Sequence, residues 1–160
     1  DVICIKVKMN DVSFFSHMPA SGFAGFDMFV DFPDGQESRH VKTFIPPPHP
    51  TDDGYESKVQ LKSKGKRYFT INFPSYSGVS ELLVGISKDA NIDVGLPYKN
   101  VAPIVYYGSS ITQGGCSSRP GNIYQNIICR RNNIDYLNLG FSGSGKGEDA
   151  IVDYMATLEP

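Results

Sequence analysis

The chain has no tryptophan, only three cysteines and only three histidines in 160 residues. Cys4, Cys116 and Cys129 cannot all pair with one another, and they show neither a C-x-x-C nor a Cys/His zinc spacing. A disulfide scaffold is therefore not expected, nor is a zinc site built on these cysteines. No apolar run approaches the ~18 residues that a membrane-crossing helix needs, so no membrane partner is expected. An excess of positive charge is also missing: the formal net charge is -2, which argues against a nucleic-acid partner. The densest basic run, Lys62 to Arg67, reads as a solvated turn between strands. The chain opens at Asp1 with no Met, no basic leader and no apolar leader core. It reads as the interior of a longer polypeptide.

Against these absences stand ten Phe and nine Tyr, with 40% apolar and 20% charged residues. That balance belongs to a folded, β-rich chain rather than a disordered one. Ile5, Val7 and Met9 alternate with Lys6 and Lys8, the period of a half-buried strand. Further strands are predicted at 25–32, 39–45, 55–62, 67–73 and 81–87. Pro33-Asp34-Gly35 and Lys64-Gly65-Lys66 supply turns. Pro46-Pro47-Pro48-His49-Pro50 cannot join a sheet interior and forms a stiff surface loop. Short strands at this spacing predict an antiparallel β-sandwich over residues 1–100.

The pattern changes near residue 100. Pro103 to Tyr107 is a continuous apolar run ending in Gly108, as for a strand buried on both faces. Residues 122–131 carry Ile123, Tyr124, Ile127 and Ile128 at helical spacing, and 135–139 form a second buried strand ending at Gly140. Residues 148–158 form a second helix with Ile151, Met155 and Leu158 on one face. Strand, helix, strand, helix opens a parallel α/β sheet. Two parallel strands cannot cover their own faces and edges, so 101–160 is expected to be the first part of a larger domain.

Ser110 lies in Tyr107-Gly108-Ser109-Ser110-Ile111-Thr112-Gln113-Gly114-Gly115, just past the first of these strands. The C-terminal tips of parallel strands are where α/β active sites form. Backbone N–H groups at a helix start suit a developing oxyanion. A Ser/Gly-rich loop without chemistry is the plain alternative from geometry alone.

Gly108-Ser109-Ser110-Ile111-Thr112 resembles the first block of the SGNH (GDSL-like) hydrolases, in which the third residue is the nucleophile. The resemblance assigns that role to Ser110, with Ser109 in the place of the frequent Asp. Asn138-Leu139-Gly140-Phe141-Ser142-Gly143 is similar to the second block, which makes Gly143 an oxyanion-hole N–H donor beside the N–H of Ser110. Gly25-Phe26-Asp27-Met28-Phe29 resembles the Gly-x-Asp-Leu-Tyr signature of an N-terminal β domain that precedes some of these esterases. The resemblance implies a β-sandwich at 1–100 and the first βαβα part of a flavodoxin-like hydrolase domain at 101–160. It further implies hydrolysis of a small acyl ester, such as an O-acetyl group on a carbohydrate, through an acyl-enzyme. It implies no metal or organic cofactor. Ser109, Arg119 and Tyr124 are candidate substrate-binding residues because they flank the serine loop. Asp27 is expected to tie a neighbouring loop by hydrogen bonds rather than to act in catalysis.

The family's third block supplies an Asn and its last block supplies Asp and His; neither is found here. The histidines are His17, His40 and His49, all in the β region. A serine hydroxyl is a poor nucleophile without a base within reach, so residues 1–160 alone are expected to be inactive. His17, on a loop of the β region, is the one candidate for a substitute base.

Two other classes compete. Gly140 to Gly147 nearly matches a phosphate-binding loop ending in Gly145-Lys146, but Gly147 stands where Ser or Thr should hold Mg²⁺. A carbohydrate-binding module is the second, with Phe23, Phe26, Tyr55 and Tyr76 as stacking candidates.

Overall fold

A computed structural model describes residues 1–158. Six strands come first: β1 (Val2–Asn10), β2 (Phe26–Asp31), β3 (Arg39–Phe44), β4 (Tyr55–Gln60), β5 (Tyr68–Asn72) and β6 (Gly78–Ile86), with a one-turn helix α1 (Ala20–Phe23) after β1. They form two antiparallel sheets of three strands, ordered β4-β1-β6 and β3-β2-β5. Each middle strand is therefore the most buried. On β1 the alternation predicted from sequence holds, because Ile3, Ile5, Val7 and Met9 are all buried. These side chains join Phe23, Ala24, Phe26, Met28 and Phe44 in one hydrophobic cluster to which both sheets contribute. At about 1.5–3 kcal/mol per fully buried large apolar side chain, this cluster dominates the stability of the first part of the chain.

The strand β2 differs in being buried on both faces. Phe26 and Met28 enter the cluster, while Asp27 and Phe29 face the other way and are equally inaccessible. What covers them is the loop and helix that follow the serine: Gly121 lies over Asp27, and the Arg130 guanidinium stacks 4.0 Å from the Phe29 ring.

The second group of elements is β7 (Ile104–Gly108), α2 (Ser110–Gln113), a 3₁₀ turn (Pro120–Asn122), α3 (Tyr124–Asn132), β8 (Tyr136–Gly140) and α4 (Asp149–Ala156). Strands β7 and β8 pair in parallel, with Ile104 opposite Tyr136 and Gly108 opposite Gly140. The fold is thus mixed α/β with antiparallel sheets ahead of a parallel pair.

Two local expectations are corrected. The helix expected over 122–131 begins as a 3₁₀ turn, breaks at Ile123 (ψ 145) and resumes at Tyr124. Its buried face is polar rather than the Ile-rich one, because Gln125 donates to the Thr112 carbonyl at 2.6 Å and Asn126 to the Pro120 carbonyl at 2.9 Å. Ile128 is exposed. Nor is β7 buried on both faces, since Val105 is 40% exposed; among the described residues this strand pairs with β8 alone. The short helix α1 is an addition that the Pro, Ser and Gly of 19–22 gave no sign of.

Candidate functional site

Ser110 is the first residue of α2, directly after β7 and Ser109. Its helix closes within one turn: the Ser110 carbonyl accepts from the N–H groups of Gly114 and Gly115 at 3.1 and 2.8 Å. Gly114 ends the helix at φ 114, a conformation that L side chains rarely adopt. The same Ser110 carbonyl also accepts the Tyr76 hydroxyl at 3.2 Å, a tie from the far side of β5. Ser109 is exposed at the helix start, and its carbonyl accepts the Gln113 N–H at 3.0 Å.

The loop carrying Gly143 leaves the tip of β8 and is fastened to this serine segment along its length. The Phe141 N–H donates to the Gly108 carbonyl at 2.8 Å, and the Ser142 N–H to the Gln113 carboxamide oxygen at 2.8 Å. Phe141 to Ser144 is a tight turn, closed by the Ser144 N–H on the Phe141 carbonyl at 3.0 Å, with Gly143 at φ 78. Further along, Gly145 packs on backbone: a Cβ there would sit 2.7 Å from the Gly108 carbonyl oxygen and 2.9 Å from the Ser109 nitrogen. Both loops are therefore at the same end of the parallel pair, with Gly143 itself exposed.

The other expected residues are distributed differently. Arg119 is turned toward the first part of the chain, its Nε 3.3 Å from Asp27 Oδ2. Tyr124 is 39% exposed and donates its hydroxyl to Thr112 Oγ1 at 3.2 Å, with its ring edge-on to Tyr106. Burial and the Cys129 thiol push the Tyr106 hydroxyl up to about 12. Asp27 accepts from Asn72 at 2.8 Å and from the Gly121 N–H at 2.9 Å, so it anchors the loop after the serine and is far too enclosed to meet a substrate.

Among the described residues no histidine bonds to Ser110. The His17 ring is edge-on to Phe15, and its backbone carbonyl lies 4.0 Å from the Cys116 sulfur. His40 bonds to Thr43, with burial and then the Arg119 charge lowering its pKa, and His49 lies against Phe14.

The stacking candidates are also accounted for. Phe23 and Phe26 are core residues at 1% and 0% exposure, which corrects their reading as sugar platforms. The Tyr55 hydroxyl donates to the carbonyls of Ala24 and Phe44, and Tyr76 is committed to Ser110.

At the end of the 140–147 loop the backbone N–H groups of Lys146 and Gly147 have partners within the chain. Glu148 Oε2 accepts the Lys146 N–H at 3.1 Å, and the Tyr107 hydroxyl accepts the Gly147 N–H at 2.5 Å while donating to Glu148 at 3.3 Å. Its own backbone amide, the Lys146 N–H and Tyr107 hold the Glu148 carboxyl below the usual glutamate range. Two of the N–H groups that a phosphate-binding loop would offer its ligand are thereby already bonded. No group of three His, Cys, Asp or Glu among the described residues is arranged to hold a metal ion, and no helix there is long and apolar enough to cross a membrane.

The sequence singles out Ser110 and Gly143 as candidates, but it does not reveal the ties made by Gln113, Tyr76, Asn72 and Gly121, which connect the segments. Their partners lie 29 to 94 residues away, and no local pattern encodes such pairs.

No curated protein matches the chain significantly. A crystal structure from Bacteroides ovatus ATCC 8483, provisionally assigned as a GDSL-like lipase, is similar at a TM-score of 0.88 and 28% identity. The similarity covers 99% of this chain and 45% of that one, so this chain spans less than half its neighbour's length. Residues 101–160 match the GDSL-like lipase/acylhydrolase family. Residues 1–92, more than half of the chain, match the family that forms the N-terminus of SGNH-hydrolase-type esterases. The chain belongs to this GxDLY family of SGNH-type esterases.

Proposed function

We propose that the chain is the nucleophile-bearing part of a serine esterase that cleaves small acyl esters. In this reading residues 1–100 are a β-sandwich, and residues 101–160 begin a flavodoxin-like hydrolase domain. The support for that division is that one family match ends at residue 92 and the other starts at residue 101.

Ser110 Oγ attacks the ester carbonyl carbon as its proton passes to a histidine base. The tetrahedral oxyanion is held by the N–H groups of Ser110 and Gly143 and by an Asn side chain. Collapse expels the alcohol and leaves an acyl-serine, which water then hydrolyses. In this reading the base and the Asn come from outside residues 1–160; what supports it is that among the described residues no histidine bonds to Ser110, and His40 bonds to Thr43 instead. Ser109 directly precedes the serine and Tyr124 bonds to Thr112 on the same short helix; in this reading both contribute to substrate binding. Arg119 is held by Asp27 and acts on the loop rather than on the substrate. The acyl group is small, such as acetyl, and the alcohol is a small molecule or a glycan; the glycan is argued by analogy with carbohydrate esterases that carry accessory β domains.

The observation that carries this reading is the fastening of the Gly143 loop to Gly108 and Gln113 on either side of Ser110. It is tested by acyl trapping in a polypeptide that supplies the base. After brief exposure to p-nitrophenyl acetate and an acid quench, the peptide holding Ser110 should gain one acetyl group. Acetylation of another serine, with Ser110 unmodified, would refute the assignment.

A further inference from the structure

We infer that Gln113 is a positioning residue that aims the Gly143 loop, and that it couples this loop to the N-terminal part of the chain through Ser75. The inference rests on the esterase reading and extends it to a residue with no assigned role.

The Gln113 carboxamide spans two loops remote in sequence. Its Nε2 donates to the Ser75 carbonyl at 3.2 Å, and its Oε1 accepts the Ser142 N–H at 2.8 Å. A carbonyl requires a donor and an N–H requires an acceptor, so the orientation of the amide is fixed by its partners. A carboxylate would keep only the acceptor half, an ammonium only the donor half, and a thioether neither. Gln113 also lies on the same helical turn as Ser110, so its carboxamide moves with the nucleophile.

Gly143 depends on this tie. It is exposed, and the space a Cβ would enter at its position is open for 4 Å. The Ser142 N–H bond fixes the peptide immediately before it, and the bonds at Phe141 and Ser144 close the turn around it. Removing the acceptor frees the N–H predicted to face the oxyanion. One donor of this kind is worth about 10²–10³ in turnover when lost outright, so misaiming it should cost about tenfold.

The neighbouring contacts point the same way. Ser75 also donates to the Gly22 carbonyl at 3.0 Å, and a Cβ on Gly114 would lie 3.0 Å from the Ser75 Cβ. The N-terminal part thus touches α2 at its last residue and its cap, while Tyr76 holds its first residue through the Ser110 carbonyl.

The test pairs amide hydrogen exchange with steady-state kinetics on p-nitrophenyl acetate, using Gln113→Met and Gln113→Glu in a polypeptide that supplies the base. In Gln113→Met, exchange at Ser142 should rise at least tenfold, with kcat down about tenfold and KM changed less than twofold. In Gln113→Glu, the retained acceptor should keep Ser142 exchange within about threefold of wild type, which separates loss of the bond from a general folding defect. Unchanged Ser142 exchange in Gln113→Met, or a freed loop with unchanged kcat, overturns the inference while wild-type activity stands. A wild-type protein without Ser110-dependent turnover instead removes the esterase reading, and the inference with it.

Discussion

The Asp27 carboxylate, on the middle strand of one antiparallel sheet, accepts the backbone N–H of Gly121 at 2.9 Å, in the loop that follows the serine. One buried side chain thereby joins the two halves of the sequence. Asn72 occupies its other oxygen and Arg119 balances its charge. Gly121 is small for the same reason: a Cβ there would stand 2.5 Å from the Phe29 ring and 2.7 Å from Asp27 Oδ2.

Asp27→Ala should destabilise the chain by about 2–4 kcal/mol, because it strands the Gly121 N–H, the Asn72 amide and part of the Arg119 charge together. Urea unfolding measures this, and a loss under 1 kcal/mol would contradict the anchoring role.

A pH effect accompanies it. Burial raises the Asp27 carboxyl above its ordinary 3.8, outweighing Asn72, Gly121 and Arg119, which lower it. The folded chain therefore holds this proton more tightly than the unfolded chain does. That contribution is complete below 3.8 and is lost as pH rises from there through the folded value. Asp27→Asn cannot titrate, so its stability deficit relative to wild type should narrow as pH climbs through this window. Denaturation midpoints across a pH series check it, and a widening deficit would reverse the sign.

Gly145→Ala should displace the loop bearing Gly143, since the new methyl meets only backbone, at Gly108 and Ser109. The cost should be about 1–3 kcal/mol of overpacking, with turnover reduced. Gly95→Ala, where a Cβ meets nothing within 4 Å, serves as the control and should change stability by less than about 0.5 kcal/mol. Equal effects from the two substitutions would mean that the close approach at Gly145 has no consequence.

Lys146 should not support nucleotide binding. Calorimetric titration with Mg-ATP is expected to give no saturable heat, in wild type and in Lys146→Ala alike, because Glu148 and Tyr107 already take the N–H groups of Lys146 and Gly147. Saturable binding abolished by Lys146→Ala would contradict this.

What could be read from sequence followed local periodicity. The β1 alternation placed Ile5, Val7 and Met9 correctly, because one face of that strand meets the core and the other meets solvent. The strand ends at Gly108 and Gly140 were legible because a glycine closes the strand-like run in both cases. Where period and burial part company, the reading failed. The helix α3 buries Gln125, Asn126 and Cys129 and exposes Ile128, since its neighbours offer carbonyls to be satisfied rather than apolar surface. Asp27 does tie a loop by hydrogen bonds as expected, but which loop was not legible, because Gly121 lies some ninety residues later in the sequence.

Ser110 is the central claim, and its most direct test is hydrolysis of p-nitrophenyl acetate by a polypeptide that contains this chain and supplies a histidine base, compared with its Ser110→Ala variant. The account predicts that the substitution lowers kcat by at least a thousandfold with the fold intact, and that residues 1–160 assayed alone show negligible turnover. Turnover that survives Ser110→Ala, or robust hydrolysis by residues 1–160 with no base beside the serine, would contradict it.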